Sequence, residues 1–533
     1  MRQKKRRGDS KPTPGFPLAG SPRSLALVLG LLTFALYLPS LWSGFVYDAE
    51  SQILIDNFLH EPGHFADVLT LRVLSQDVLD GNRPVQLLSL MLDSLFWKKS
   101  PVGYHLTSNL LHAGNVALLF FLMTTLLHRG TPWKKGASGP FVGLLPPLLA
   151  ALVFAAHPLL VEPVAEVSCR EDLLAGFFLL SAVLLALQCA GGKAPLWTGA
   201  GCLLAVLLSC GAKEAGIVTP FVILLTGLLF RRGEPFLRWL ILAGGALAVA
   251  LGFLAARFLL QPESSEVFLH EPGYLGGSLA TVVKVQPRIW AFYVRAICWP
   301  SALSADYTAQ NVLTIPALHA WLALAGFLAL QLFTAWKSRF GVMGLALFWL
   351  GLAPVSNVIP IFRPVADRYL YLPLMGVAFT LCGLLVLAAG HRRLYPVATG
   401  GVVCALLALL PQTLQRQNVF ANSLNLWRDA VRKSPWSETA ANNLAYAYLE
   451  EDQLPEALNA FQKTLNLTSG KKANAWAGAA VALEKLGRPA DARAALDKAI
   501  ALEKMYSDPQ KLKRSLVVNA EQLAVIEQIL RRP

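Results

Sequence analysis

The sequence predicts an all-α protein: a polytopic membrane helical bundle of about eleven spans at 24–414, then a short α-solenoid at 415–533. Three observations predict it. Hydrophobic residues make up 55% of the 533 and charged residues only 15%, against about 25% charge in a soluble domain. Apolar stretches of bilayer length recur from residue 24 to about 413. The remaining tail is polar, Ala-rich, cysteine-free and repetitive. A chain so composed cannot cover itself in water, which excludes a wholly soluble enzyme and a mostly disordered protein.

The elements follow in order. Residues 1–23 form a basic tail, with Arg2, Lys4, Lys5, Arg6 and Arg7 ahead of the first apolar run. That run, 24–42, is long enough to span and has no small-residue cleavage site after it, so it reads as an uncleaved first helix with the tail cytoplasmic. Further spans are expected near 103–127, 141–160 (interrupted by Pro146–Pro147), 172–190, 195–210, 215–230, 237–260, 315–335, 340–361, 369–389 and 395–413. The short connections holding Arg129/Lys134/Lys135, Lys193, Arg231/Arg232/Arg238, Lys337/Arg339 and Arg392/Arg393 then lie inside, as the positive-inside rule requires. The net charge of +14 is therefore read as an orienting charge and not as a nucleic-acid footprint. The longer loops at 44–101 and 261–314 face the other side. Two apolar segments within them, 83–97 and 286–300, are assigned as interfacial or re-entrant helices: Asp93 interrupts the first, and Arg288 and Arg295 burden the second. An odd number of spans places everything after residue 414 outside the cytoplasm. The seven cysteines form no CxxC pair, so neither a disulfide framework nor a zinc site is suggested.

In the tail, Leu444, Ala445, Tyr448, Ala457 and Phe461 recur about 35 residues later as Ala479, Ala480, Leu483, Ala492 and Leu496. These are the small and large positions of a tetratricopeptide helix pair. Trp427, Ala430 and Pro435 read as half of an earlier unit, and a capping helix is expected near 510–530. The concave face of such an array suits a peptide.

Four charged clusters are candidates for chemistry. Asp48 and Glu50 emerge directly after the first helix, where a carboxylate reaches a lipid headgroup and a water-borne acceptor alike; they also read as solvated loop acids. His157, Glu162, Glu166, Arg170, Glu171 and Asp172 lie between the third and fourth spans, where charges must be paired or wet. Arg170 suits either an ion pair with Asp172 or a phosphate. Lys213 and Glu214 form the third cluster, or an interfacial snorkelling pair. Arg363, Asp367, Arg368 and Tyr371 form the fourth, and Arg is the natural clamp for a lipid phosphate; Arg83 completes this set of cations. His105, Asn109 and His112 share one helix face and either line a sugar pocket or tie helices together, the second being favoured. Two His alone do not make a metal site. No Walker motif, GxGxxG or GxSxG is present.

With these motifs in place, the chain resembles the transmembrane and tetratricopeptide-repeat O-mannosyltransferases, within the C superfamily of multi-span glycosyltransferases that use lipid-phosphate sugars. The resemblance rests on FVYDAE (45–50), NRPVQLLSLMLD (82–93), GYHLTSNLLH (103–112), FAAHPLLVEPVAEVSCREDLLAG (154–176), AKEAGI (212–217), LSADYT (303–308), ADRYLYLPLMG (366–376) and WRDAVRKSPWS (427–437). It implies transfer of a hexose, mannose in such relatives, from a polyprenyl-phosphate carrier to Ser or Thr of proteins in the lumen or periplasm. Asp48 and Glu50 are expected as the catalytic residues, Asp48 in the role of base. Arg83, His105, His157, Arg170, Asp172, Lys213, Glu214, Arg368 and Tyr371 are expected around the donor phosphate and sugar. The family often has two adjacent Asp; here Ala49 stands second, so a divalent metal is not favoured and no cofactor is expected beyond the donor. The expected partners are the membrane lipid carrier and an acceptor protein or peptide at the repeats, in a bacterial inner membrane or, alternatively, the endoplasmic reticulum. Competing readings are a lipid-linked-sugar enzyme acting on a lipid or surface glycan, a non-enzymatic scaffold with peptide-binding repeats, and a transporter.

Overall fold

The computed structural model of the chain describes residues 21–130, 143–192, 194–261, 277–514 and 518–532. The basic residues at 2–7, Lys134, Lys135, Lys193 and the start of the 261–314 loop lie outside the described residues. All regular structure among the described residues is helical. Helices of eleven residues or more are numbered here in chain order.

The first helix, α1 (Pro22–Leu36), opens with Pro22 at a position that needs no N–H donor, and Ser21 caps it by accepting from the Ser24 N–H at 3.1 Å. A short amphipathic helix, α2 (Pro84–Trp97), precedes α3 (Pro101–Gly130). At 1.5 Å per residue α3 is about 45 Å long, enough to run from one end of the bundle to the other. Next comes α4 (Leu145–Ala155). Pro146 and Pro147 do not interrupt this span, as the sequence suggested; they sit in its first turn, where missing N–H groups cost nothing. The interruption falls at His157–Pro158, where the chain bends by 54° into Pro158–Ala165. The bundle continues with α5 (Arg170–Ala190), α6 (Leu196–Ala212), α7 (Thr219–Phe230), α8 (Phe236–Leu260), α9 (Leu279–Cys298), α10 (Ala317–Lys337), α11 (Arg339–Leu352), α12 (Tyr371–Ala389) and α13 (Leu394–Val419). The span expected at 340–361 is shorter than that, because Pro354 ends it in a tight turn.

Among the described residues six helices are long and apolar enough to cross a membrane, or seven if the bent pair counts as one, so the chain is an integral membrane protein. About eleven spans is more than these: Pro22–Leu36, Leu196–Ala212, Glu214–Phe230 and Arg339–Val355 are apolar but only 10–17 residues long. Most of the segment 286–300 lies in α9, which carries Lys284, Arg288 and Arg295, is buried nearly all round at Ala291–Val294 and is not among the six.

The two ends of the bundle differ. At one end Arg129 pairs with Glu234 at 2.9 Å, Arg232 Nε donates to the Arg129 carbonyl at 2.9 Å, and Arg238 donates to the Ala190 carbonyl at 3.2 Å. These are the basic connections. At the other end α3 and α5 begin, and from there α13 leads to α14 (Ser423–Lys433). Two helix pairs follow, α15 (Glu438–Glu450) with α16 (Leu454–Leu467), and α17 (Ala473–Lys485) with α18 (Pro489–Leu502). The second pair repeats the first about 35 residues on, down to its turn: Gly487 and, in the first copy, Asp452 both adopt positive φ. Asp tolerates that conformation better than most non-glycine residues. The last helix, α19 (Ala520–Arg531), packs on α17 and α18 as a cap.

Bundle helices α11 and α12 meet backbone to backbone at Gly344 and Gly376, where small residues permit close approach. A Cβ on Gly376 would lie 2.5 Å from the Phe348 nitrogen and 2.7 Å from the Gly344 carbonyl oxygen. Gly376→Ala is therefore expected to destabilise the bundle by about 1–3 kcal/mol, read as a lower thermal midpoint of the purified protein. Gly244→Ala, with nothing within 4 Å, should not lower it.

Candidate functional site

The first loop is built around three aromatic contacts. The His105 ring, buried on α3, lies 3.3 Å from the Gly44 carbonyl through Nε2, and Phe45 packs edge-on against Tyr104. Tyr47 takes a positive φ of 62°, an outlier for a bulky side chain. Its ring stacks on Trp427 of α14 at 5.3 Å, with the Arg363 guanidinium 4.5 Å from the ring centre. This conformation turns the next side chain outward. Asp48 is exposed, and its carboxylate has no hydrogen-bond or ion-pair partner among the described residues. The fields of Asp80, Glu166 and Arg363 reach it. Glu50 points elsewhere and accepts a hydrogen bond from the Ser423 hydroxyl. Burial pushes its carboxyl up to about 7, against the opposing pull of that bond.

Beside the loop, cations and carboxylates from five separate segments converge. Arg83 reaches Asp80 at 3.2 Å, Glu171 at 3.5 Å and Glu214 at 3.6 Å, and its buried Nε–H has no acceptor among the described residues. Lys213 holds Asp172 at 2.5 Å and Glu171 at 3.5 Å. Arg257, from the end of α8, holds Glu214 at 2.8 Å. Arg368 holds Glu162 at 2.7 Å, and the Tyr369 ring lies between Arg368 and Lys213 at 5.6 and 5.7 Å. Asp80 in turn accepts from Gln52 of the first loop at 3.0 Å; burial pushes its carboxyl up to about 6 in spite of Arg83. The result is a charged cluster with Asp48, unpartnered among the described residues, at its edge.

The structure thus brings Asp48, Arg83, Asp172, Lys213, Glu214 and Arg368 to one end of the bundle. Other candidates are placed differently. Arg170 does not pair with Asp172, since positions two apart point to different sides of a helix. It is fully buried and held by Asp93 at 2.6 Å, the hydroxyls of Ser89 and Ser108, and the Tyr104 carbonyl. Lys213 and Glu214 likewise find separate partners and do not snorkel as a pair. His157 is buried, with Nε2 3.0 Å from the Ile297 carbonyl at the end of α9. Tyr371 lies inside the bundle, bonded to His112 at 3.0 Å and Asn115 at 2.8 Å, and Asn109 bonds the Tyr37 carbonyl at 2.9 Å. The polar stripe of α3 ties helices together. The residues that sequence reasoning missed are Asp80, Arg257 and Tyr369, together with Arg416 and Asp429 at the base of the repeats. Tyr369 lay within a recognised motif; Asp80 and Arg257 carry no local signal.

No protein-family model matches the chain. Human protein O-mannosyl-transferase TMTC3 is 24% identical over 497 residues, covering 82% of this chain and 51% of the human protein. Mouse protein O-mannosyl-transferase TMTC4 is 25% identical over 480 residues, covering 78% and 63% respectively. The chain is a distant homologue of these protein O-mannosyl-transferases and spans about half to two thirds of their length. Among solved structures, ArnT from Cupriavidus metallidurans bound to undecaprenyl phosphate covers 94% of this chain and 88% of its own at 16% identity, with a TM-score of 0.39, too slight a likeness to carry an argument.

Two outcomes follow from the site itself. Glu50 has a raised carboxyl in the folded loop, so the stability it contributes is complete below about 4.5 and is lost as pH rises through about 7. Glu50→Gln removes that loss: its thermal midpoint should exceed that of the parent at pH 8 by more than at pH 5, and equal differences would refute the assignment. Arg170→Leu strands Asp93 in the interior and should cost about 3–5 kcal/mol, seen as loss of folded protein in size-exclusion chromatography.

Proposed function

We propose that the chain is a membrane glycosyltransferase that moves a hexose, mannose by analogy with its relatives, from a polyprenyl-phosphate carrier to Ser or Thr hydroxyls of proteins on the non-cytosolic side. In this reading the bent pair and the four shorter apolar helices complete about eleven spans, which puts the charged cluster and the repeats on one face of the membrane. The observation that carries the proposal is the pairing of an exposed, unpartnered Asp48 with the cation cluster beside it. A leaving phosphate needs positive charge, and an incoming hydroxyl needs a base.

Chemically, the acceptor oxygen bonds to the anomeric carbon as the bond from that carbon to the phosphate oxygen breaks. Asp48 takes the hydroxyl proton, and the lipid phosphate departs with the electron pair. A single displacement inverts the anomeric centre. Arg83 suits the phosphate best, because its orphaned Nε–H is a buried donor awaiting an acceptor. Lys213 has three donors and two carboxylate contacts, and the Arg368 guanidinium is held by Glu162 through one of its nitrogens, the backbone N–H donating to the other oxygen. Asp172 and Glu214 hold cations in place. Arg170, with its guanidinium already engaged, acts by fixing α2, α3 and α5 together; His105, His157 and Tyr371 act likewise, through the helices that carry the cluster.

Asp48→Asn should lower transfer of labelled mannose from polyprenyl-phosphate mannose into acceptor protein by about 10²–10⁴-fold in reconstituted vesicles, while donor binding stays at the parent level. Transfer at the parent rate would remove Asp48 from the chemistry. Transfer to lipid or glycan and never to protein would move the enzyme to the sister class.

A further inference from the structure

The first loop is tied to the repeat module at three points within seven residues. The Gly44 N–H donates to the Ala421 carbonyl at 2.9 Å, Tyr47 stacks on Trp427, and Glu50 accepts from Ser423. Asp48 lies between the second and third of these ties and has none of its own, so its neighbours set its position. The module side is equally fixed to the bundle. Arg416 bridges Asp367 at 3.4 Å and Asp429 at 3.1 Å, Lys433 donates to the Leu303 carbonyl at 2.5 Å, and Ser434 donates to the Asp306 carbonyl at 3.0 Å. Asp306 then accepts from Ser437 at 2.5 Å and holds Arg363 at 2.8 Å, and Arg363 returns to the Tyr47 ring. The contacts close a circuit from the loop through α14 and α15 and back.

We propose that Glu50 is a positioning residue of the transfer site, and that Ser423 and Trp427 of the repeat module are its wall: the module holds the loop that presents Asp48. The proposal rests on the glycosyl-transfer reading for its catalytic consequence, but not for its geometric one. A shift of α14 moves Tyr47 and Glu50, and with them the base between them. The repeats therefore do more than receive an acceptor; their first helix completes the site where the acceptor reacts.

Two measurements test this in the full-length chain reconstituted in vesicles. In the first, the exposed Cys298 and Cys404 are replaced by Ser, Asp48→Cys is introduced, and its modification by a membrane-impermeant thiol reagent is timed. Adding Ser423→Ala should change the modification rate several-fold, and Ser423→Thr, which keeps the hydroxyl, should restore it. An unchanged rate overturns the proposal whether or not the chain transfers sugar. In the second, Ser423→Ala and Glu50→Ala should each lower kcat by about 10- to 100-fold, as misplacement of a reacting group does, with the donor KM unchanged. The double variant should be no slower than the slower single one. Losses that multiply, or a change confined to donor KM, also overturn it. Absence of transfer by the parent protein would instead refute the proposed function and leave the labelling result to decide positioning alone.

Discussion

A charge taken out of water into an apolar bundle is tolerated only when a partner of opposite sign meets it, and one end of this bundle is organised by that constraint. Arg170 with Asp93, Lys213 with Asp172, Arg368 with Glu162 and Arg416 with Asp367 and Asp429 each join helices or loops distant in sequence. The pairs act as bolts between elements that apolar packing alone would let slide. They also set apart the acids that hold cations from those that do not: Glu50 accepts from Ser423, Glu166 from Ser168, and Asp48 has no partner among the described residues.

The same constraint separates a cation whose donors are all engaged from one with a donor to spare. Arg170 has donors to three side chains and a carbonyl and no solvent exposure, so its work is finished within the protein. Arg83 is shared loosely among three carboxylates and retains a buried N–H without an acceptor. A guanidinium in the second condition gains by binding an anion; one in the first condition loses. The difference arises from how many oxygens the surrounding helices offer, not from the type of residue.

Much of the fold was legible in the sequence because the bilayer imposes one length on each apolar run. The runs at 103–127, 172–190, 237–260 and 369–389 match α3, α5, α8 and α12 within a few residues, and the repeat spacing in 438–502 returned as two helix pairs. The misreading at Pro146–Pro147 came from treating proline as a breaker, when at the start of a helix it is well placed. Asp80 and Arg257 escaped notice because nothing near them in sequence marks them; each becomes part of the cluster only through chain segments that are far away.

The sequence by itself determined that the chain is an integral membrane protein, the approximate positions of its longer apolar helices, the repeats, and the short stretches in which the clustered charges lie, because hydropathy, period and charge spacing are local quantities. Only the tertiary structure decided which cation meets which carboxylate, that Glu50 faces Ser423 while Asp48 faces solvent, and that the first repeat helix walls the loop. Those outcomes depend on contacts between residues as far apart in the chain as Tyr47 and Trp427, where the direction of each side chain is set by the helix opposite it and not by its neighbours in the chain.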